Sequence, residues 1–155
     1  MSTSIIEQIA VKIEALVNAI TEDNGFNQDL TAVRPKRIHL ESDINTDLTV
    51  IIEQAEEAVI ESDSNTVTIW RQPFALQALV IDSDDATDSI DTRLNQVRSD
   101  IEKKLMEDDN RFLDGLGEIH LVSAEKFLAD PLVAGIAVNI DVIYQVATDN
   151  PYSQA

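Results

Sequence analysis

Two runs decide how this chain folds: Leu48–Ser62, LTVIIEQAEEAVIES, and Thr66–Asp82, TVTIWRQPFALQALVID. Both are rich in β-branched and aromatic residues, and a polar, turn-prone Asp63-Ser64-Asn65 separates them. That pattern reads as a β-hairpin with arms at roughly residues 48–61 and 66–82. Phe74, Leu76, Ala78 and Val80 alternate along the second arm, which gives it one apolar face. Pro73 marks an expected bulge or bend. Both arms exceed the usual strand of about 5–6 residues, so their distal halves are expected to project beyond the core.

The rest of the chain arranges itself around this hairpin. Ile5, Ile6, Ile9, Ile13, Leu16, Val17 and Ile20 recur at helical spacing. Ser4 and Glu7 form a capping-box pattern at the start of that stripe, and Gly25 is a candidate stop. Glu7, Lys12, Glu14 and Asn18 are expected on its water-facing side. The segment TAVRPKRIHLE holds Arg34, Lys36 and Arg37, and its Pro35 points to an edge strand or an extended loop. Ile90, Leu94, Val97, Ile101 and Leu105 predict a second helix, with Asp84, Asp85 and Asp88 at its positive end and Lys103 and Lys104 at its negative end. A turn at Gly115 and Gly117 precedes a strand near Glu118–Phe127. Ile136, Val138, Ile140, Val142, Tyr144 and Val146 then alternate through a closing strand at roughly Ile136–Thr148. Strands arrive as hairpin neighbours rather than alternating with helices. The expectation is a single α+β domain over residues 1–155, a mainly antiparallel sheet with a long β-hairpin and two helices packed on one face.

Composition narrows the function. The 155 residues are 44% hydrophobic with four glycines and four prolines, enough for one core and too ordered a composition for a disordered chain. There is no cysteine, so disulfides, thiolate metal sites and Cys nucleophiles are excluded. No apolar run reaches the roughly 20 residues that cross a bilayer, and the N-terminus lacks the basic start of a signal peptide; the expectation is a soluble intracellular protein with no membrane contact. Twenty-nine acidic residues against eleven basic ones leave a formal net charge of −18. Phosphate binding needs the opposite sign, so sequence-specific nucleic-acid binding is not expected. The acidity reads either as plain solubility or as a surface that DNA must pass without sticking.

Candidate chemistry fails on spacing. Counted from Asp82, the cluster Asp82, Asp84, Asp85, Asp88, Asp91 has Ala86 at the fifth position, Thr87 in place of the loop glycine and Arg93 in place of the final glutamate. It is explained by charge at a helix N-terminus. His39 and His120 lack metal-ligand partners at the known spacings. Neither a nucleophile elbow nor a glycine-rich phosphate loop is present. Carboxylate pairs of the glycosidase kind arise by chance in so acidic a chain. No catalytic, cofactor or metal residues are therefore assigned, and the chain reads as a non-enzyme. Trp70, Arg71 and Phe74 are residue types that anchor interfaces, set against a core Trp and a surface Arg.

The closing strand with Val142-Ile143-Tyr144-Gln145-Val146, followed by Asp149-Asn150-Pro151-Tyr152, resembles the C-termini of tail-terminator (tail-completion) proteins of long-tailed bacteriophages. The early helix, the basic segment AVRPKRIHL, the strand DLTVIIEQAEE, the return RQPFALQALVID and the helix TRLNQVRSDIEKKL follow in a compatible order. The resemblance covers nearly the whole chain as a pattern of elements. It implies a virion protein of the tail or neck, assembled in the host cytoplasm. Copies of the chain would form a hexameric ring on the last ring of the tail tube protein and offer a surface to the head-tail connector or stopper protein. In a contractile tail the sheath protein is a further partner. No cofactor is implied, and genome DNA would pass through the ring. Under this reading Glu61, Ser62, Asp63, Ser64, Asn65 and Thr66, with Trp70, Arg71 and Phe74, are candidates for contacts between subunits or with the tube. Arg34, Lys36 and Arg37 are candidates for pairing with a neighbour's acidic surface, and Pro151 and Tyr152 complete the set. Rival readings are another head-tail joining protein, a small metal-dependent hydrolase and a bacterial interaction module.

Overall fold

The structure is a computed structural model; it describes residues 3–35, 47–63, 66–81, 88–130 and 132–154. At its centre lie two fifteen-residue strands, β4 (Val67–Ile81) and β6 (Val133–Ala147). They pair antiparallel without a break from Val67↔Ala147 to Ile81↔Val133. The apolar alternation legible in each run is the reason for this register. It sets Phe74, Leu76, Ala78 and Val80 on the same face as Ile136, Val138, Ile140, Val142, Tyr144 and Val146, and a slip of one residue would turn every one of them outward.

The flanks complete the sheet. Strand β2 (Thr49–Gln54) pairs antiparallel with the proximal half of β4, and β3 (Ala58–Asp63) with its distal half. The short β1 (Thr31–Val33) adds to β2 in parallel, and β5 (Glu118–Asp130) pairs antiparallel with β6 at the other edge. The order is β1-β2-β4-β6-β5, with β3 also on β4. This is the expected α+β fold with a mainly antiparallel sheet.

Helices α1 (Ile5–Asn18) and α2 (Ile90–Met106) bury their apolar stripes on the same face of the sheet. Helix α1 starts where Ser4 Oγ accepts from the Glu7 backbone N–H at 3.3 Å, and α2 starts where Ser89 Oγ accepts from Thr92 N–H at 3.2 Å. Each bond satisfies one of the amide donors a helix N-terminus leaves without an intrahelical partner. Of the acidic residues expected at the start of α2, Asp82, Asp84 and Asp85 lie outside the described residues. Lys103 and Lys104 end that helix and sit over the Phe26 ring, 4.9 and 5.7 Å from its centroid.

Three local expectations need correction. Helix α1 ends at Asn18, well before Gly25; Gly25 instead closes a 3₁₀ turn at Glu22–Asn24, with a φ of 89° that suits a residue without Cβ. Pro73 makes no bulge in β4. Its carbonyl accepts from Ala55 N–H at 3.0 Å, so its missing N–H faces the β2/β3 flank, where the ladder is interrupted at residues 55–57. The buried Gln72 side chain fills that gap, donating to Ala55 O at 2.7 Å and Pro73 O at 2.8 Å. Finally, the distal half of the hairpin is not free of the core. Strand β6 flanks β4 throughout and Thr68 is buried, while residues 59–62 of β3 and Arg71 of β4 are exposed.

Between α2 and β5 the chain forms a 3₁₀ segment, Asp108–Gly115, where sequence showed only a turn. Leu113 there is fully buried with a φ of 50°, and Asp114 follows with a φ of 55°. Left-handed backbone at such residues costs on the order of 1–2 kcal/mol each. Burial of the Leu113 side chain in the core opposes the first cost, and the exposed Asp114 pairs with Lys12 at 2.7 Å.

Candidate functional site

Pairing across the strands separates the sheet into two unlike faces. Even-numbered residues of β4 and β6 point at the helices. Odd-numbered ones, from Ile69, Arg71 and Pro73 to Ala137, Asn139, Asp141 and Ile143, point to the other side. No described helix packs on that second face; both helices contribute to the core on the first. A small cluster of Ile51, Leu79 and Val133, with Ile81 and Phe127, closes one end of the open face. Phe127 lies across Gly135, where an added Cβ would stand 2.3 Å from the ring. Glycine is required there because the aromatic ring occupies the space.

The strands that border the sheet carry exposed apolar side chains. On β3 these are Val59 and Ile60, with 48% and 51% of their surface exposed; on β5 they are Leu121, Val122 and Leu128, the last at 80%. Register shifts fall beside them, at Val59/Glu61 in β3 and at Leu121/Ser123 in β5. A β-bulge turns an extra side chain out of the ladder, which explains why Ile60 and Val122 face solvent.

Parity also sorts the candidate residues. Phe74 is 1% exposed and belongs to the core with Leu76 and Ala78, so it is corrected from a contact residue to a core residue. Trp70 lies on the same helix-facing side, half-buried against the core, paired with Val59 and Tyr144. Arg71 projects from the opposite face and is exposed. The three neighbours in sequence are thus not one cluster. Glu61 and Ser62 are exposed on β3, Asp63 ends that strand and Thr66 accepts a hydrogen bond from Thr148 N–H through its carbonyl. Lys36, Arg37, Ser64 and Asn65 lie outside the described residues, as does His39.

Arg34 has a partner within the chain. Its two terminal nitrogens donate to Glu7 Oε1 at 2.8 Å and Oε2 at 2.9 Å, a bidentate pair. Hydrogen bonding to Arg34 draws the Glu7 carboxyl below its ordinary value, and the same pair raises the guanidinium. Its fork is therefore taken, and Arg34 is not a free cation awaiting a neighbour. Other water-facing residues of α1 also have partners. Asn18 Oδ1 accepts from Ala32 N–H at 2.9 Å, and Lys12 pairs with Asp114 at 2.7 Å.

The Asp149–Tyr152 tail folds back. Pro151 O accepts from Ile5 N–H at 3.1 Å, taking up an unpartnered donor at the start of α1, while Ser153 O accepts from Ala147 N–H at 3.0 Å. The tail therefore joins the last strand to the first helix, and Tyr152 stays exposed. Sequence reading placed Tyr144 on the closing strand but missed the partner of its hydroxyl, which donates to the Glu57 carboxylate. Burial and then this bond push the phenol well above its ordinary range. It also missed Asp100, buried in α2, which accepts from Asn27 N–H at 3.0 Å and Asn27 Nδ2 at 2.9 Å. An aspartate on the apolar side of a predicted helix was the available signal for the latter.

Among the described residues no group of three or more His, Asp or Glu side chains is placed to hold a metal ion. No described helix is long and apolar enough to cross a membrane. Compared with protein-family models and with curated proteins, the chain matches none.

Proposed function

We propose that this chain is a structural ring-forming protein of the tail-terminator type. Six copies would cap the phage tail tube, end its polymerisation and present a surface to the head connector. The observation that carries the reading is the distribution of the fold's exposed apolar surface. Five of the ten exposed large hydrophobic side chains among the described residues, Val59, Ile60, Leu121, Val122 and Leu128, sit on β3 and β5, beside a sheet face that no described helix covers. Surface of this kind serves contacts between proteins more than it serves chemistry on a small molecule. The sequence resemblance of the closing strand and tail supplies the particular partner.

Capping then follows from shape. One side of the ring reproduces the docking surface of another tube ring, and the other side lacks it, so the next tube subunit finds no matching partner. The ring itself closes through a heterologous contact repeated six times. The net charge of −18 keeps a passing duplex from adhering. Adding the purified protein to growing tubes of the phage's own tail tube protein tests the reading. Tube lengths should stop increasing at a stoichiometry of one ring per tube; tubes that lengthen unchanged would overturn it.

A further inference from the structure

Three features converge on the distal end of the sheet. Strand β5 begins opposite Ile143, so from Tyr144 to Ala147 the outer flank of β6 is bordered by the turn at Gly115–Gly117 and the end of the chain rather than by a strand. A groove of about 310 Å³ lies there, lined by Ile69, Phe112, Leu116, Ile143 and Gln145, with the Glu118 carboxylate among them. Gly117 fits because an added Cβ would stand 2.9 Å from the Ile143 carbonyl oxygen. At the rim, Arg111 stacks on the Phe112 ring at 4.7 Å and reaches Glu118 only at 3.8 Å, a long exposed pair.

On the opposite flank, at the same height, lies β3. The registers Glu61↔Ile69↔Gln145 and Ala58↔Arg71↔Ile143 place the two flanks level across the same three strands. Strand β3 presents exposed Val59 and Ile60, with Glu61 on the open face that also holds the groove. Ile60 and the Glu61 carboxylate on one flank thus complement a largely apolar groove on the other, whose Arg111 guanidinium is only loosely held by Glu118.

We propose that β3 of one copy docks in the Ile69–Ile143–Phe112 groove of the next, with Glu61 facing Arg111. A rotation about an axis along the strands keeps strand direction and keeps the open faces on one side. Each copy therefore gives a β3 edge and receives one, a head-to-tail contact able to close into a ring. The inference rests on the ring reading above and names the contact that builds it.

The absence of cysteine makes the test direct. In one chain, residues 60 and 145 lie two strands apart, about 10 Å by strand spacing, beyond the roughly 7 Å that a disulfide spans. The Ile60→Cys/Gln145→Cys variant, oxidised alone and on tube ends, should give a ladder of multimers up to the closed ring. Either single variant should give dimers at most. Glu61→Arg or Arg111→Glu should each weaken self-association by roughly tenfold or more, and the two together should restore it. A ladder that stops at dimers, or rings that form without cross-linking, overturns this contact and leaves the ring reading standing. Protein that stays monomeric both free and with tube ends overturns the two together.

Discussion

The Tyr144 hydroxyl, at the distal end of β6, donates a hydrogen bond to the carboxylate of Glu57 in the break between β2 and β3. The bond runs across β4 and ties the flank carrying β3 to the centre of the sheet. A hydrogen bond to a charged group contributes about 1.5–3 kcal/mol. Glu57 is half-exposed, and water can replace part of that. Tyr144→Phe is therefore expected to lower stability by about 1–2 kcal/mol, read from denaturant melts. The pH dependence has a fixed sign. The folded state holds the phenolic proton more tightly than the unfolded state, so this contribution is complete below the ordinary tyrosine value of about 10 and is lost as pH rises above it. Wild type should lose stability more steeply above that pH than Tyr144→Phe; parallel curves would remove the role.

Gly135→Ala places a methyl group against the Phe127 ring, where a Cβ has 2.3 Å. Overpacking of this kind costs about 1–3 kcal/mol. Phe127→Ala should cost stability by itself through loss of its contacts with Ile51, Leu79 and Val133. The double variant should then be more stable than the two single costs added together, a coupling that a thermodynamic cycle measures.

Asp100→Ala leaves the Asn27 backbone and side-chain donors without their acceptor. The expected loss is about 2–3 kcal/mol, with faster amide exchange around Asn27 and Gln28, the second of which also reaches Asp100 at 3.4 Å. A stable variant with unchanged exchange would show that water substitutes for the carboxylate.

Arg34→Ala removes the bidentate pair with Glu7. Both side chains are partly solvated, which holds the expected loss to about 0.5–1 kcal/mol. The folded Glu7 carboxyl lies below its ordinary value of 4.5, so this stabilisation is present above that pH and disappears as pH falls through the lowered value. Wild type and Arg34→Ala should therefore differ at pH 7 and converge in acid.

These residues show what a sequence can and cannot reveal. Alternation at Phe74–Val80 and Ile136–Val146 made the central strands legible, and the helical stripes made α1 and α2 legible, because one buried face imposes a period on the chain. Where no period exists, nothing pointed to the structure. The break opposite Pro73 depends on a side chain, Gln72, reaching the Ala55 carbonyl between β2 and β3. The 3₁₀ segment at Leu113 depends on left-handed backbone that is held by burial of Leu113, by the Lys12–Asp114 pair and by the Leu116 N–H bond to Leu113 O. Trp70, Arg71 and Phe74 looked like one cluster because adjacency in sequence is not adjacency on a strand, where neighbours point to opposite faces. The groove by Phe112 joins four separate stretches of the chain, and no local pattern announces it.

The central claim is that the molecule acts by assembling on a tube end. Averaged electron micrographs of tail tubes mixed with the purified protein test it most directly. One ring with sixfold symmetry is expected at a single end of each tube. Bare tube ends, with the protein remaining monomeric in the surrounding solution, would contradict it.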